Sequence, residues 1–455
     1  MKRSAFIYCI ALFLFSGSWA KAGDVNFGGF IKLDKRFMIE ESEYPFVGMY
    51  NTLRLETAAY PADNLKAFAS TEVRYYDFSD AETTADLSEL DSTEPIDFTL
   101  WEGYLEIYDF LIPGLDVKAG KQRIAWGTAD KLNPTDNLNP DDFSDPLDFG
   151  EKVPSTALLA TYYLKDFEFS YVWLPAMRPA LMPKGGMSLF SPEDMFSFPP
   201  GAGISVVDYR DHVIEPEEDI EHSMHGFKVK GAIEGVDLSL SYFSGFDDLP
   251  IPSDILIDPL DPLDPTKVRL EPTMTFPRMD VIGFDVAGEA FTVGYWAEFA
   301  AFFPQEVTMN THSNDPALQA ALTGMGMGET VVLEDEPYYK YAIGFDYTFE
   351  WKMYVNCQYM HGFFHERGED NLEDYILARV EQDFLRDTLK VSLGGGMEIN
   401  DDNDQGNIVI PEVSYKPMDA VELTVGAFFL EGENGTLFGD WKEMDQLYVK
   451  GRVDF

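Results

Sequence analysis

Apolar and polar residues alternate with a period of two through almost the whole chain, and stretches with a helical period are nearly absent. The last eleven residues, DQLYVKGRVDF, show the pattern at its cleanest. Leu447, Val449, Gly451, Val453 and Phe455 fall on one face, and Gln446, Tyr448, Lys450, Arg452 and Asp454 on the other. A strand with one apolar and one charged face suits a wall between lipid and water. The alternation predicts 18 strands, over residues 24–40, 46–60, 65–77, 98–110, 115–126, 155–164, 167–175, 223–233, 236–246, 279–288, 291–303, 338–350, 352–364, 372–384, 387–400, 407–417, 420–432 and 444–455.

The connections between these segments alternate in length. Those after even-numbered strands are tight: Pro61-Ala62-Asp63-Asn64, Ile112-Pro113-Gly114, Lys165-Asp166, Glu234-Gly235, Gly288-Glu289, Glu350-Trp351 and Arg386-Asp387. Several after odd-numbered strands are long: 127–154, 176–222, 247–278 and 304–337. A meandering barrel produces this sorting, with tight periplasmic turns and long extracellular loops, whereas a β-sandwich has no reason to. The predicted fold is therefore all-β, a transmembrane antiparallel up-and-down β-barrel of about 18 strands. A barrel of that size leaves an aqueous lumen unless loops fill it.

The two ends of the sequence support a membrane destination. Met1 to Ala22 reads as a secretory signal: Lys2 and Arg3, the apolar run AFIYCIALFLF, then Ala20-Lys21-Ala22 before Gly23. Residues 23–455 would then form the barrel. A final strand closing on Phe455 resembles the assembly signal by which bacterial outer-membrane barrels engage their insertion machinery. Cys9 would leave with the signal, and Cys357 alone permits no internal disulfide framework. Loss of Lys2, Arg3 and Lys21 takes the formal charge from −47 to −50, which excludes general nucleic-acid binding. The 15% aromatic content matches the girdles of a barrel at its two membrane interfaces.

If the apolar parity faces lipid, the other parity lines the lumen. Lys32, Asp34 and Arg36 then point inward from the first strand, Arg54 and Glu56 from the second, Lys66, Glu72 and Arg74 from the third, and Lys450 and Arg452 from the last. Closure makes the last strand the neighbour of the first, so these cations share one wall. A basic wall facing acidic neighbours sets up a transverse field that favours anionic or zwitterionic solutes; mutual neutralisation is the alternative. In the fifth strand Lys121 and Arg123 share the parity of lipid-facing Val117 and Ala119. A β-bulge near Gly120 would turn both inward, avoiding roughly 2–4 kcal/mol for a cation at mid-bilayer.

The run GKQRIAWGTADKLNPTDNLNPDDFSDP follows directly. It resembles Gram-negative outer-membrane porins of the alginate-export and related uncharacterised type. The resemblance rests on Gly120, Lys121, Gln122, Arg123, Trp126, Gly127, Asn133-Pro134 with Asp136, and Asn139-Pro140 with Asp142. It implies an outer-membrane channel, and makes Trp126, Asn133, Asp136, Asn139 and Asp142 candidates for a loop that folds in and constricts the pore, a plain surface loop being the alternative; no cofactor is expected. Alginate channels carry a strongly Arg-rich lumen, and the lumen here is mixed. Outer-membrane lipid, lipopolysaccharide and a small solute are the partners implied.

Two other loops stand out. Residues 176–222 hold Met177, Met182, Met187, Met195, Phe190, Phe196 and Phe198, too apolar for free exposure, which predicts a lid or constriction. The acidic stretches carry Asp77, Asp80, Glu82, Asp86, Glu89, Asp91, Glu94 and Asp97, and further along Asp258, Asp261 and Asp264. The last three are weak Ca²⁺ candidates without EF-hand spacing, so no metal site is assigned. His361 and His365 lie roughly 13 Å apart if the strand continues through both. No H-E-x-x-H, G-x-S-x-G or Cys-His cluster is present, and no enzyme is expected. The expected function is a passive or substrate-selective channel; the alternative is a non-conducting surface barrel that binds a polysaccharide or anchors a partner.

Overall fold

The computed structural model describes residues 24–39, 48–76, 79, 84–88, 90–145, 147–183, 198, 203–261, 264–400 and 404–455. The segment 1–22 expected to be a signal, Met187, Phe190, Met195, Phe196, Asp77, Asp80, Glu82 and Glu89 lie outside them.

Among the described residues, eighteen strands form one closed antiparallel barrel. They are β1 (Val25–Met38), β2 (Asn51–Ala62), β3 (Leu65–Tyr75), β4 (Ile96–Ile107), β5 (Leu115–Gln122), β6 (Ser155–Leu164), β7 (Phe167–Leu174), β8 (Met224–Ile233), β9 (Val236–Phe246), β10 (Arg278–Ala290), β11 (Val293–Pro304), β12 (Tyr338–Thr348), β13 (Met353–His361), β14 (Asp374–Phe384), β15 (Leu389–Ile399), β16 (Gln405–Met418), β17 (Val421–Gly432) and β18 (Gln446–Asp454). Each pairs with its sequence neighbour, and β1 pairs with β18 from Phe30↔Asp454 to Met38↔Gln446. Closure pairs the backbone groups that an open edge would leave bare, which a hydrocarbon environment demands.

Alternation sets the two faces. On β1, Leu33 is 58% exposed and its neighbour Asp34 is 0% exposed. The outer face is an apolar belt that includes Ile31, Leu55, Leu105, Phe227, Leu240, Phe284, Ile343, Leu393, Val425 and Val449. Tight turns gather at one end of the barrel and long connections at the other. One turn falls later than the sequence suggested: β10 and β11 meet at Phe291-Thr292, both with positive φ, because pairing runs through Gly288↔Tyr295 and Ala290↔Val293.

The expected bulge at Gly120 is instead on the adjacent strand. The β4–β5 register is unbroken, while the β3–β4 register jumps from Ser70↔Glu102 to Thr71↔Leu100. Trp101 and Glu102 therefore both turn inward and β4 changes parity. Lys121 keeps the face of Ala119 and Leu105, and its Nζ donates to the Leu100 carbonyl at 2.8 Å. Arg123 reaches the lumen because β5 ends at Gln122.

Three of the long connections are not loops throughout. Ser205–Tyr209, His212–Ile214, Ile251–Asp261, Asp264–Thr275, Val307–His312 and Glu329–Leu333 form a second, six-stranded sheet beyond the long-loop end. Ile255, Ile257, Val268 and Leu270 pack there against Leu318 and Leu322 of the helix Pro316–Gly324, which Asp315 caps. The Asp-Pro dipeptides at 258–259 and 264–265 read as turns, since proline cannot donate within a ladder. The sheet absorbs Pro252 and Pro259 at register shifts.

Candidate functional site

The first long connection, residues 127–154, folds into the barrel. Its approach is set by Gly127, which takes φ +88°; a Cβ there would meet Glu298 Oε1 at 2.6 Å and Asn133 Nδ2 at 2.8 Å. Glu298, a single carboxylate on the inner face of the otherwise apolar β11, gathers the incoming backbone. It accepts from the Thr128 N–H, from the Ala129 N–H at 2.6 Å, from Asn133 Nδ2 at 2.9 Å and from the Thr135 hydroxyl at 2.9 Å. Gln358 of β13 accepts from the Asp130 N–H at 3.0 Å. The Asn139 side chain accepts from the Ile124 N–H at 2.7 Å and donates to Val153 O at 3.2 Å, holding the two legs of the loop together. Trp126 is buried in the barrel core beside Leu138.

The far side of the loop meets the seam wall through carboxylates. Asp136 pairs with Arg123 at 2.5 Å, Asp142 with Arg74 at 2.7 Å, and Asp145 accepts from Arg36 Nη1 at 2.7 Å. Arg36 is fully buried and also donates to Asp34 at 3.1 Å. Arg54 pairs with Glu72, and Arg74 reaches the same carboxylate at 2.5 Å. Lys450 lies 3.8 Å from Asp34, and Arg452 pairs with Asp454 at 2.8 Å.

Between wall and loop is a polar cavity of about 470 Å³. Lys32, Arg54, Arg74 and Arg452 line it, together with Glu56, Glu72, Asp142, Asp145, Asp148, Glu151 and Asp454. Its guanidinium groups are interleaved with aromatic rings. Arg452 lies 4.0 Å from the Phe30 centroid and Arg54 5.2 Å from the same ring, while Arg54 and Arg74 lie 4.8 and 4.9 Å from Trp101. Ring quadrupoles between like charges make this close series of cations tolerable.

Of the residues singled out in the sequence, Lys32, Arg54, Arg74, Arg452 and Asp142 line this cavity. Arg36, Lys450, Arg123, Asn133, Asp136 and Asn139 hold the wall or loop beside it, and Lys121 points away from it. The sequence reading missed Glu298, Trp101, Asp145, Asp148 and Glu151. The lone inward carboxylate within AEFAAFF was the available signal for Glu298.

At the long-loop end a buried junction joins three connections. The Asp141 N–H donates to Asp248 at 2.5 Å, Lys152 pairs with Asp141 at 2.7 Å, and Arg367 pairs with Asp247 at 2.6 Å. Burial, reinforced by the Asp141 charge, pushes the Asp248 carboxyl up to about 7. The beginning of the 176–222 connection docks here: the Ala180 N–H donates to Asp248 O and the Leu181 N–H to Asp141 O, both at 2.9 Å, and Met177 is buried. Phe198 packs on the external sheet.

Asp258, Asp261 and Asp264 do not converge on one point. Asp258 accepts from the Asn314 backbone and side chain at 2.8 Å, and Asp264 from the Thr266 hydroxyl at 2.5 Å, so they fasten the helix and a hairpin. His361 bonds Asp374 at 2.8 Å on the outer face, while His365 lies buried past the strand end and is held at about 3 by burial and by Lys340 and Arg367.

No family model and no curated protein matches the sequence. Solved structures match the fold. The chain is similar to OccK8 (OprE) of Pseudomonas aeruginosa, with a TM-score of 0.50 at 9% identity over 95% of this chain and 98% of that one. OccAB1 of Acinetobacter baumannii gives 0.48 at 9% identity over 96% and 98%, and a loop-deletion mutant of OmpT of Vibrio cholerae gives 0.42 at 12% identity over 96% and 100%. The chain has a porin-like β-barrel fold.

Proposed function

We propose that the barrel is an outer-membrane diffusion channel for small hydrophilic solutes, constricted by the in-folded loop 127–154. The observation that carries this reading is the 470 Å³ charged cavity between the seam wall and that loop. Its four cations stand mainly on the wall, and acids on the loop (Asp142, Asp145, Asp148 and Glu151) face them, so a solute crossing it would meet opposed charges on two sides. Seven carboxylates line the cavity against four cations, and most of the cations are already paired. Of the anionic and zwitterionic solutes that the basic wall suggested, that balance favours the zwitterionic. It also argues against alginate, although the loop that carries the resemblance to alginate-export porins is the one that forms the constriction.

In this reading the long loops face outward among lipopolysaccharide, the tight turns face the periplasm, and the strand ending at Phe455 is what the assembly machinery engages. Planar-bilayer recording tests it. Purified protein should give discrete ion conductance, and a barrel that inserts yet passes no current, even after deletion of residues 176–222, would overturn the reading. The six-stranded external sheet favours one alternative, a barrel that displays a binding module for a polysaccharide or partner at the cell surface.

A further inference from the structure

The stretch 145–151 of the in-folded loop divides the lumen. Asp145, Asp148 and Glu151 face the polar cavity, whereas Leu147 and Phe149 face the opposite wall. On that side, between the loop and strands β13 to β16, is a separate chamber of about 170 Å³. Its walls are largely apolar, with Leu147, Phe149, Leu377, Ile408, Ile410 and Phe438 among them, and Asp130, Lys131 and Arg379 complete the lining. Lumen-facing apolar side chains run counter to the polar parity of a water-filled barrel, so this wall is built to exclude water. Most of them pack in the loop–wall interface, yet the interface does not close.

The reason it stays open is visible at Gly394. A Cβ placed there would find Arg379 Nη1 at 3.7 Å and Ile410 at 3.8 Å, ordinary contact distances, so packing does not require a glycine at this position. Its φ is also not in the left-handed region. Gly394 therefore presents bare backbone to the chamber, beside the Arg379 guanidinium and Ile410. The polar groups of the lining are already engaged: Asn356 and Gln358 bond the loop at Asp130, Lys131 pairs with Asp148, and Arg379 pairs with Glu381 and Glu412. An apolar void of about 150 Å³ is large enough to hold a benzene ring.

We propose that this chamber is a binding site for an uncharged aromatic ring carried by a small polar solute. The solute's polar part stays in the aqueous lumen while the ring enters between Phe149 and the Gly394 wall. The inference goes beyond the channel reading, because binding here needs no ion flow.

The test uses phenyl β-D-glucoside as probe and methyl β-D-glucoside, which has the same sugar without the ring, as control. Saturation-transfer NMR on the folded full-length protein in detergent should show the phenyl protons receiving saturation well above the control sugar. Gly394→Phe fills the chamber from β15, and Ile410→Phe fills it from β16. Each should weaken phenyl-glucoside binding about tenfold or more, a loss of about 1.4 kcal/mol, and leave the heat-modifiable mobility of the barrel unchanged. Equal saturation of the two glucosides, or a phenyl signal that persists in either correctly folded variant, overturns the proposal. Ion conductance recorded on the same samples reports separately on the channel reading: its absence would end that reading and leave the ring-binding result standing.

Discussion

The Arg74 guanidinium donates to the Asp142 carboxylate at 2.7 Å, joining the third strand of the wall to a loop that begins after the fifth. Both groups are mostly buried, and the same arginine also holds Ser144 at 2.7 Å. Removing one partner of a buried pair costs roughly 3–5 kcal/mol because the other charge is stranded. Arg74→Gln should therefore release this end of the loop, and so should Asp142→Asn. Single-channel recording would register a larger conductance with added open-state noise in each, and the double variant should exceed either single by little. Independent, additive increases would mean that the two residues do not act as a pair.

Glu298 is the opposite anchor. Each hydrogen bond to a charged acceptor is worth about 1.5–3 kcal/mol, and this carboxylate takes at least four donors from the loop. Glu298→Gln keeps the volume but turns an NH₂ toward N–H groups. The barrel should still fold, as judged by mobility in detergent before and after heating, while limited proteolysis cuts within 127–135. Protection equal to wild type would show that the wall pairs alone hold the loop.

Charge selection should follow the two sides of the cavity in opposite directions. Neutralising Arg54, Arg74 and Arg452 together to Gln should shift the reversal potential in a salt gradient toward cations. Neutralising Asp148 and Glu151 to Asn and Gln should shift it toward anions. Raised salt should shrink both shifts, since screening lengths fall from ~8 Å at 0.15 M to ~3 Å at 1 M.

The Asp141–Asp248 junction should depend on pH. Burial and the Asp141 charge push the Asp248 carboxyl up to about 7 in the folded protein, while an unfolded Asp titrates near ~3.9. Between these values the folded form holds the proton more tightly, so stability falls as pH rises from about 4 to 7 and is flat above. Docking of residues 177–182 onto the inner loop should be tighter at pH 5 than at pH 8. Hydrogen exchange at the Ala180 and Leu181 amides would report it, and Asp248→Asn should remove the difference.

The barrel was legible because each strand carries its own instruction. One face must meet lipid and the other water, so Leu33 and Asp34 declare their sides without reference to any other part of the chain. The seam was legible for the same reason: Lys32 and Arg452 share a parity, and closure makes them partners in register. The bulge was misplaced because the parity fault is written in β5 at Lys121, while its structural resolution, two inward residues at Trp101 and Glu102, is on β4.

The external sheet was hidden by its prolines, which mark turns locally and are accommodated only by strands from distant connections. Alternation by itself thus determined the strand number, the two faces and the basic wall of this protein. Only the tertiary structure decided that the wall's charge is largely answered by Asp136, Asp142 and Asp145, and that Glu298 draws the loop across the lumen. A strand's exposure is a local choice between two solvents, whereas an ion pair 68 residues apart in sequence, such as Arg74 with Asp142, exists only once the barrel has closed around the loop.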